Sequence, residues 1–432
     1  MNFYNLKHKE EQLNFKEATI KGQGKDKGLF FPEDISKFSN EFLQNLPNLS
    51  NEEIAFQVMK DFVGDEIPEA ELRKIVAETI AFEIPLKKVT ENISVLELFH
   101  GPTLAFKDVG ARFMSRCLGY FLKNETRKVT VLVATSGDTG GAVANGFYDV
   151  EGIEVVILYP KNRVSPVQEK QLTALGKNIH ALEVNGSFDD CQALVKQAFS
   201  DESLNEKLLL TSANSINVAR WLPQQIYYVL ALKQWLKNNS ENPVICVPSG
   251  NFGNICAGIL AHHRGLPVEH FIAACNVNDV VPEYLRTEIL KPKETVATIS
   301  NAMDVGDPSN FVRILELFEK EFNQVKSKLS GYTIDDEETL KTIERVEKDY
   351  GYVLDPHGAV AFVALDKYLA ENGGKGFFLE TAHPVKFPDS VEKATGKSVE
   401  IPKSLEELMR QEKFTTEINP QYEELKEFLL KK

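Results

Sequence analysis

The chain is poor in the residues that mark several protein classes. It holds only five cysteines in 432 residues, Cys117, Cys191, Cys246, Cys256 and Cys275, scattered and with no C-x-x-C pair. That pattern excludes a disulfide scaffold and a cysteine-based zinc site, and predicts reduced, buried thiols in a cytoplasmic protein. No window approaches the roughly eighteen consecutive apolar residues of a membrane span. The opening Met1-Asn2-Phe3-Tyr4-Asn5-Leu6-Lys7 lacks the basic and then apolar regions of a signal peptide. Positive charge is also short: 49 Lys and Arg stand against 63 Asp and Glu, a formal net charge of −14. With no Lys/Arg block to reverse this, neither a nucleic-acid surface nor a membrane partner is expected. Any anionic ligand must therefore be met by a local positive site. No internal repeat or low-complexity tract is present.

What remains is an ordinary globular composition, 43% hydrophobic and 26% charged, on a chain too long for one core. Residues 1–92 predict a helical N-terminal cap, with turns at 22–25 and 28–32 and helices over 51–62 and 68–80. Ser50 and Asn51 suit the cap of the first helix, and Pro68 the first turn of the second. From residue 93 strands and helices alternate: strands over 129–135, 153–159, 179–184 and 207–211, with helices over 140–148, 165–175 and 188–199. A long helix over 218–237 follows, and the polar turn 238–243 is the best interior boundary. A second alternating unit has strands at 244–247, 271–275 and 376–380, with helices over 253–264, near 308–329, 336–350 and 357–370. From residue 404 a charged, helical tail closes the chain. Continuous apolar strands joined by helices predict an α/β fold of two open parallel-sheet domains, 93–240 and 241–432.

One stretch organises the chemistry. The apolar run 95–99 leads into His100-Gly101-Pro102-Thr103-Leu104-Ala105-Phe106-Lys107-Asp108, and helical spacing follows. This reads as strand, tight turn and helix, with Lys107 at the helix start. Desolvation and a helix N-terminus there lower a lysine's pKa and make its amine nucleophilic; taken alone, a solvated surface lysine remains open. Thr135-Ser136-Gly137-Asp138-Thr139-Gly140-Gly141, after a strand, offers hydroxyls and N–H groups to a carboxylate or phosphate, or is simply a capped turn. Pro248-Ser249-Gly250-Asn251-Phe252-Gly253-Asn254 is neither a nucleotide P-loop nor a dinucleotide turn, and suits a monophosphate. Asn214-Ser215-Ile216-Asn217-Val218-Ala219-Arg220 offers amides and a guanidinium able to pair a phosphate, unless Arg220 is a surface residue. Glu380-Thr381-Ala382-His383-Pro384 ends a short buried strand. A reactive lysine, a monophosphate turn and a hydroxyl for a neutral ring nitrogen together describe a pyridoxal phosphate site.

On these stretches, with 27–32 and 301–305, the chain resembles the threonine synthase family of fold-type II, tryptophan-synthase-β-like enzymes. H-G-P-T-x-A-F-K-D is specific to that family, whereas the glycine turns are shared across the superfamily. The resemblance implies conversion of O-phospho-L-homoserine and water to L-threonine and phosphate, with pyridoxal 5'-phosphate bound covalently by Lys107. It further implies that Gly250, Asn251, Phe252, Gly253 and Asn254 cradle the cofactor phosphate. Thr381 would face the ring nitrogen and Asp138 the ring hydroxyl. Thr135, Ser136, Thr139, Asn214 and Arg220 would meet the substrate. Two departures stand out. Asp138 replaces an asparagine found in many relatives, and Asn5-Leu6-Lys7-His8 follows Tyr4 where many threonine synthases have Ser-Thr-Arg-Gly. No ligand is therefore assigned to the N-terminal cap. A cytoplasmic monomer or weak homodimer with no metal is expected. The rivals are a dehydratase or β-replacement enzyme, which needs no phosphate pocket, and a non-catalytic binder of phosphorylated ligands.

Overall fold

The computed structural model describes residues 1–123 and 128–431. Two parallel sheets carry the molecule. One has five strands, in the order Thr415–Ile418, Ile179–Val184, Ile153–Pro160, Val129–Ala134, Leu209–Thr211. The other has six, in the order Leu329–Thr333, His270–Cys275, Val244–Pro248, Gly376–Glu380, Ile93–Glu97, Leu86–Lys88, with only the last pair antiparallel. The central strands are buried throughout, as continuous apolar runs demand when helices cover both faces. Among the described residues no helix is long and apolar enough to cross a membrane.

Sheet membership cuts across the boundaries expected at 92 and 240. Ile93–Glu97, expected to open the first unit, pairs in parallel with Gly376–Glu380. Thr415–Ile418, in the tail read as helical, adds an edge strand to the first sheet beside Ile179–Val184. Local pattern identifies a buried strand but not its neighbour, which is chosen by long-range packing. The cap is likewise not wholly helical. Asn2–Asn5 pairs antiparallel with Gln12–Asn14 and with Phe30–Pro32, a segment expected as a turn. Its helices are nevertheless capped much as expected. Ser50 Oγ accepts the Glu53 N–H at the start of Asn51–Val63, and Pro68 takes the cap position before Glu69–Thr79.

Two long helices are broken. The segment expected as one helix over 218–237 becomes Val218–Trp221, a tight turn at Leu222–Gln224 and Gln225–Trp235. Pro223 lies in that turn, and its missing N–H explains the break. The segment near 308–329 splits into Phe311–Leu317 and Phe322–Lys328, with Glu319 and Lys320 at positive φ between them. The cap is anchored where it matters: Phe15 packs its ring on Phe113 and Phe121 of Lys107–Leu122, centroids 6.4 and 6.2 Å away. Burial of such a ring is worth about 1.5–3 kcal/mol. It braces the helix that Lys107 begins.

Candidate active site

The carboxyl ends of both sheets open into one cleft of about 1650 Å³, where open α/β sheets bind ligands. Every one of the substrate and cofactor residues expected from the sequence lines it: Lys107, Thr135, Ser136, Asp138, Thr139, Asn214, Arg220, 250–254 and Thr381.

Lys107 is the first residue of its helix. The preceding turn is closed by Asp108, which accepts from Thr103 N–H at 2.9 Å and Thr103 Oγ at 2.6 Å. Backbone bonds then stitch this turn to the Thr381 strand end. Phe106 N–H donates to Thr381 O at 2.9 Å, and His383 N–H to Leu104 O at 3.1 Å. The pairing of Ile93–Glu97 with Gly376–Glu380 thus delivers Lys107 and Thr381 to one spot. Burial pushes the Lys107 pKa down; Asp138 opposes this, while Lys386 and Arg220 reinforce it.

The turn after Val129–Ala134 opens the helix Asp138–Phe147. Thr135 Oγ accepts two N–H bonds of its own turn, from Gly137 and Gly140, both 2.9 Å. Its remaining capacity is as a donor. Asp138 Oδ1 is held by Lys386 Nζ at 2.8 Å and Gln168 Nε2 at 2.9 Å, while Oδ2 lies 3.9 Å from Lys107 Nζ. Despite burial, which acts to raise it, the two lysines and the hydrogen bonds hold the Asp138 carboxyl well below its usual range.

The turn after Val244–Pro248 begins the helix Gly253–His263, with Phe252 in the left-handed region at φ 61°. Free N–H groups at such an end favour an anion. A Cβ on Gly250 would stand 2.6 Å from Met303 Cα, so only glycine admits this close approach. Asn251 spends its side chain within the protein, donating to Ser215 Oγ at 3.0 Å and accepting Ser309 N–H at 2.7 Å. Its side chain sets the shape of the turn. Asn254 Oδ1 accepts from the Tyr227 and Tyr228 hydroxyls at 2.8 and 2.7 Å, and its buried Nδ2 has no protein partner.

Arg220 is buried, not on the surface. Nη1 donates to Ala213 O, and its buried Nε has no protein partner. Gly110, on the Lys107 helix, makes room for it: a Cβ there would lie 2.6 Å from Arg220 O and 3.0 Å from Nε. Burial lowers the Arg220 pKa to about 10, so the guanidinium stays charged at neutral pH. Sequence reasoning missed two groups. Lys386 follows the Thr381 turn and lies fully buried. The cap brings Lys7, Lys21 and Lys27 to the cleft wall, although its departure from the family pattern gave no signal for this.

A cleft with a desolvated lysine, a neutral anion turn and a hydroxyl at a strand end is the architecture of a pyridoxal-phosphate dependent enzyme, and the family model of that description matches residues 80–377. Models for the threonine synthase N terminus and C-terminal region match 2–80 and 358–429. The chain belongs to the threonine synthase family. It is 46% identical over 431 residues to threonine synthase of Haemophilus influenzae, covering 100% of both chains. The crystal structure of threonine synthase from Escherichia coli superposes with a TM-score of 0.93 at 45% identity, covering 100% of each. PLP-bound threonine synthase from Brucella melitensis gives 0.92 at 36% identity, covering 99% of this chain and 98% of that one. The residues present fit the cofactor. The 250–254 turn presents the N-terminus of Gly253–His263 with no ionisable side chain, and the buried Asn254 Nδ2 is a donor with no protein partner.

Proposed function

We propose that the cleft converts O-phospho-L-homoserine and water to L-threonine and phosphate with pyridoxal 5'-phosphate, as a carbon–oxygen lyase. When bound, the cofactor supplies the electron sink for carbanion chemistry at the substrate Cα. Lys107 would hold it through Nζ, and once the substrate amine has exchanged into that place the released Lys107 amine would take the Cα proton. The lowered Lys107 pKa supports both tasks, because each needs the neutral amine. Gly250, Asn251, Phe252, Gly253 and Asn254 hold the cofactor phosphate through backbone N–H groups and the Asn254 amide. With the cofactor bound, the Thr381 hydroxyl would serve the ring nitrogen without protonating it, and Asp138 would serve the ring hydroxyl. Ser136, Thr139 and Asn214 orient the substrate, with the Thr135 hydroxyl as a donor. Arg220 meets the substrate phosphate with a charge the anionic protein as a whole does not provide.

The observation that carries this reading is the convergence of Lys107, the 250–254 turn and Arg220 on one cleft. Purified protein incubated with phosphohomoserine should release threonine and phosphate in equal amounts. Ammonia and a keto acid from serine or threonine, with no phosphate release, would instead indicate the dehydratase. Five free, buried cysteines support a cytoplasmic location. Sedimentation at micromolar concentration should find a monomer or weak homodimer.

A further inference from the structure

Lys386 is a fully buried charge for which the reading above has no task. It ends the short turn Pro384–Lys386, directly after the Thr381 strand end. Its Nζ donates to Asp138 Oδ1 at 2.8 Å and to the Thr103 carbonyl at 2.8 Å. The Asp138 oxygen on the other side, Oδ2, stays 3.9 Å from Lys107 Nζ, beyond hydrogen-bond length. The carboxylate has two lysines to choose from, and it bonds the one at 386.

We propose that Lys386 is a positioning residue: as the fixed counter-ion of Asp138, it keeps that carboxylate from clamping Lys107, leaving the Lys107 amine free to react. Among the described residues, charged groups on several segments act on Lys107: Asp138 from Asp138–Phe147, Lys386 from its turn, Arg220 from Val218–Trp221 and Asp355 at the start of Pro356–Asn372. Asp138 and Asp355 favour its protonated form; Lys386, Arg220 and burial oppose it. Removing Lys386 takes away one cation and leaves Asp138 unmatched. Both changes push Lys107 toward an ammonium that is neither nucleophile nor base.

The inference rests on Lys107 being the attachment residue, and two separate measurements keep the two claims apart. Borohydride reduction of holoenzyme followed by peptide mapping tests the attachment: the cofactor must be fixed on the peptide holding Lys107. The role of Lys386 is read from full-length apoenzyme. Competitive acetylation of Lys107, followed by mass spectrometry across pH, gives the midpoint at which the amine becomes reactive. Lys386→Met should move that midpoint up by about one pH unit or more. The double variant Lys386→Met/Asp138→Asn should bring it back toward wild type, a rescue that a merely structural loss would not produce. Lys386→Arg, which keeps a cation beside Asp138, should stay near wild type. If Lys386→Met does not fold, Lys386→Gln takes its place, and its midpoint must rise in the same way and return when Asp138→Asn is added. An unmoved midpoint in Lys386→Met, or a double variant that stays with the single, overturns the proposal.

Discussion

The two walls of the cleft are built from the same strand–turn–helix unit, yet they spend their polar groups differently. On the first sheet the 135–140 turn carries a charge, Asp138, balanced by Lys386 and Gln168 and lying near Lys107. On the second sheet the 249–254 turn has no ionisable side chain, and its two asparagines are tied to Ser215, Ser309, Tyr227 and Tyr228. A wall of backbone N–H groups in fixed shape suits a ligand that stays, such as a cofactor phosphate. A wall of compensated charges suits chemistry, because small changes in pairing alter which group holds a proton. The 249–254 turn holds, and Lys107, delivered by the same sheet, reacts beside the charge that the 135–140 turn brings to it.

The sharpest way to break this contrast is Lys107→Ala. Turnover should fall by at least a thousand-fold, about 4 kcal/mol of barrier, while equilibrium dialysis still finds cofactor held by the second wall. Activity within tenfold of wild type would remove Lys107 from the reacting side. The pH dependence follows from the same residue. Burial lowers the Lys107 pKa, so the neutral amine is already present at pH values below the ordinary lysine range. The rate of cofactor capture by apoenzyme should rise with pH through that lowered value and level off before about pH 10.5.

Two buried arginines supply the next test. Arg313 directs its donors to Phe30 O, Ser215 O, Ile216 O and Asn310 Oδ1, at 2.6–3.2 Å, whereas Arg220 Nε is unspent. Arg220→Ala should lower kcat/KM for phosphohomoserine by at least thirtyfold, with cofactor affinity barely altered, since truncating one member of a buried charge pair costs ~2–5 kcal/mol. Arg220→Lys should rescue it only in part, because a point charge lacks the paired geometry. Arg313→Met should instead cost ~3 kcal/mol of folding stability in urea denaturation. Equal loss of cofactor and substrate binding in Arg220→Ala would move that residue to the holding wall.

Gly250→Ala probes the holding wall directly. Its methyl would meet Met303 backbone at 2.6 Å, so the cradle must widen and pyridoxal phosphate affinity should drop about tenfold, or ~1.4 kcal/mol. An unchanged dissociation constant would show that the phosphate sits elsewhere. The smallest expected effect on binding is that of Thr381→Asp. A carboxylate there would hold the ring nitrogen protonated, shifting the cofactor absorbance and slowing threonine formation while affinity stays near wild type. Identical rate and spectrum would mean that Thr381 does not face that nitrogen.

Much of the site was legible because its parts are local. Lys107 at a helix start, Asp138 and Thr139 in a strand–helix turn and the Gly250–Asn254 turn are each defined within a few residues, where turn and cap chemistry acts. Lys386 left no such trace. A lysine six residues beyond a strand end reads as solvated, and its burial appears only when the turn 384–386 closes over Asp138. Nor did residue type reveal that Arg220 is buried behind Gly110 while the Asn251 amide is consumed inside the protein.

By itself, the sequence determined the buried strands and covering helices at the centre of both sheets, the turns that end those strands and the chemical character of each turn. These depend on backbone propensity and periodicity over a handful of residues. Only the tertiary structure decided that Ile93–Glu97 joins Gly376–Glu380, that Thr415–Ile418 crosses to the first sheet, and that Asp138 bonds Lys386 in preference to Lys107. Each of those is a choice among chemically similar partners far apart in the chain. Such choices turn on which arrangement buries the most apolar surface and leaves the fewest charges unpaired, a property of the whole packed molecule.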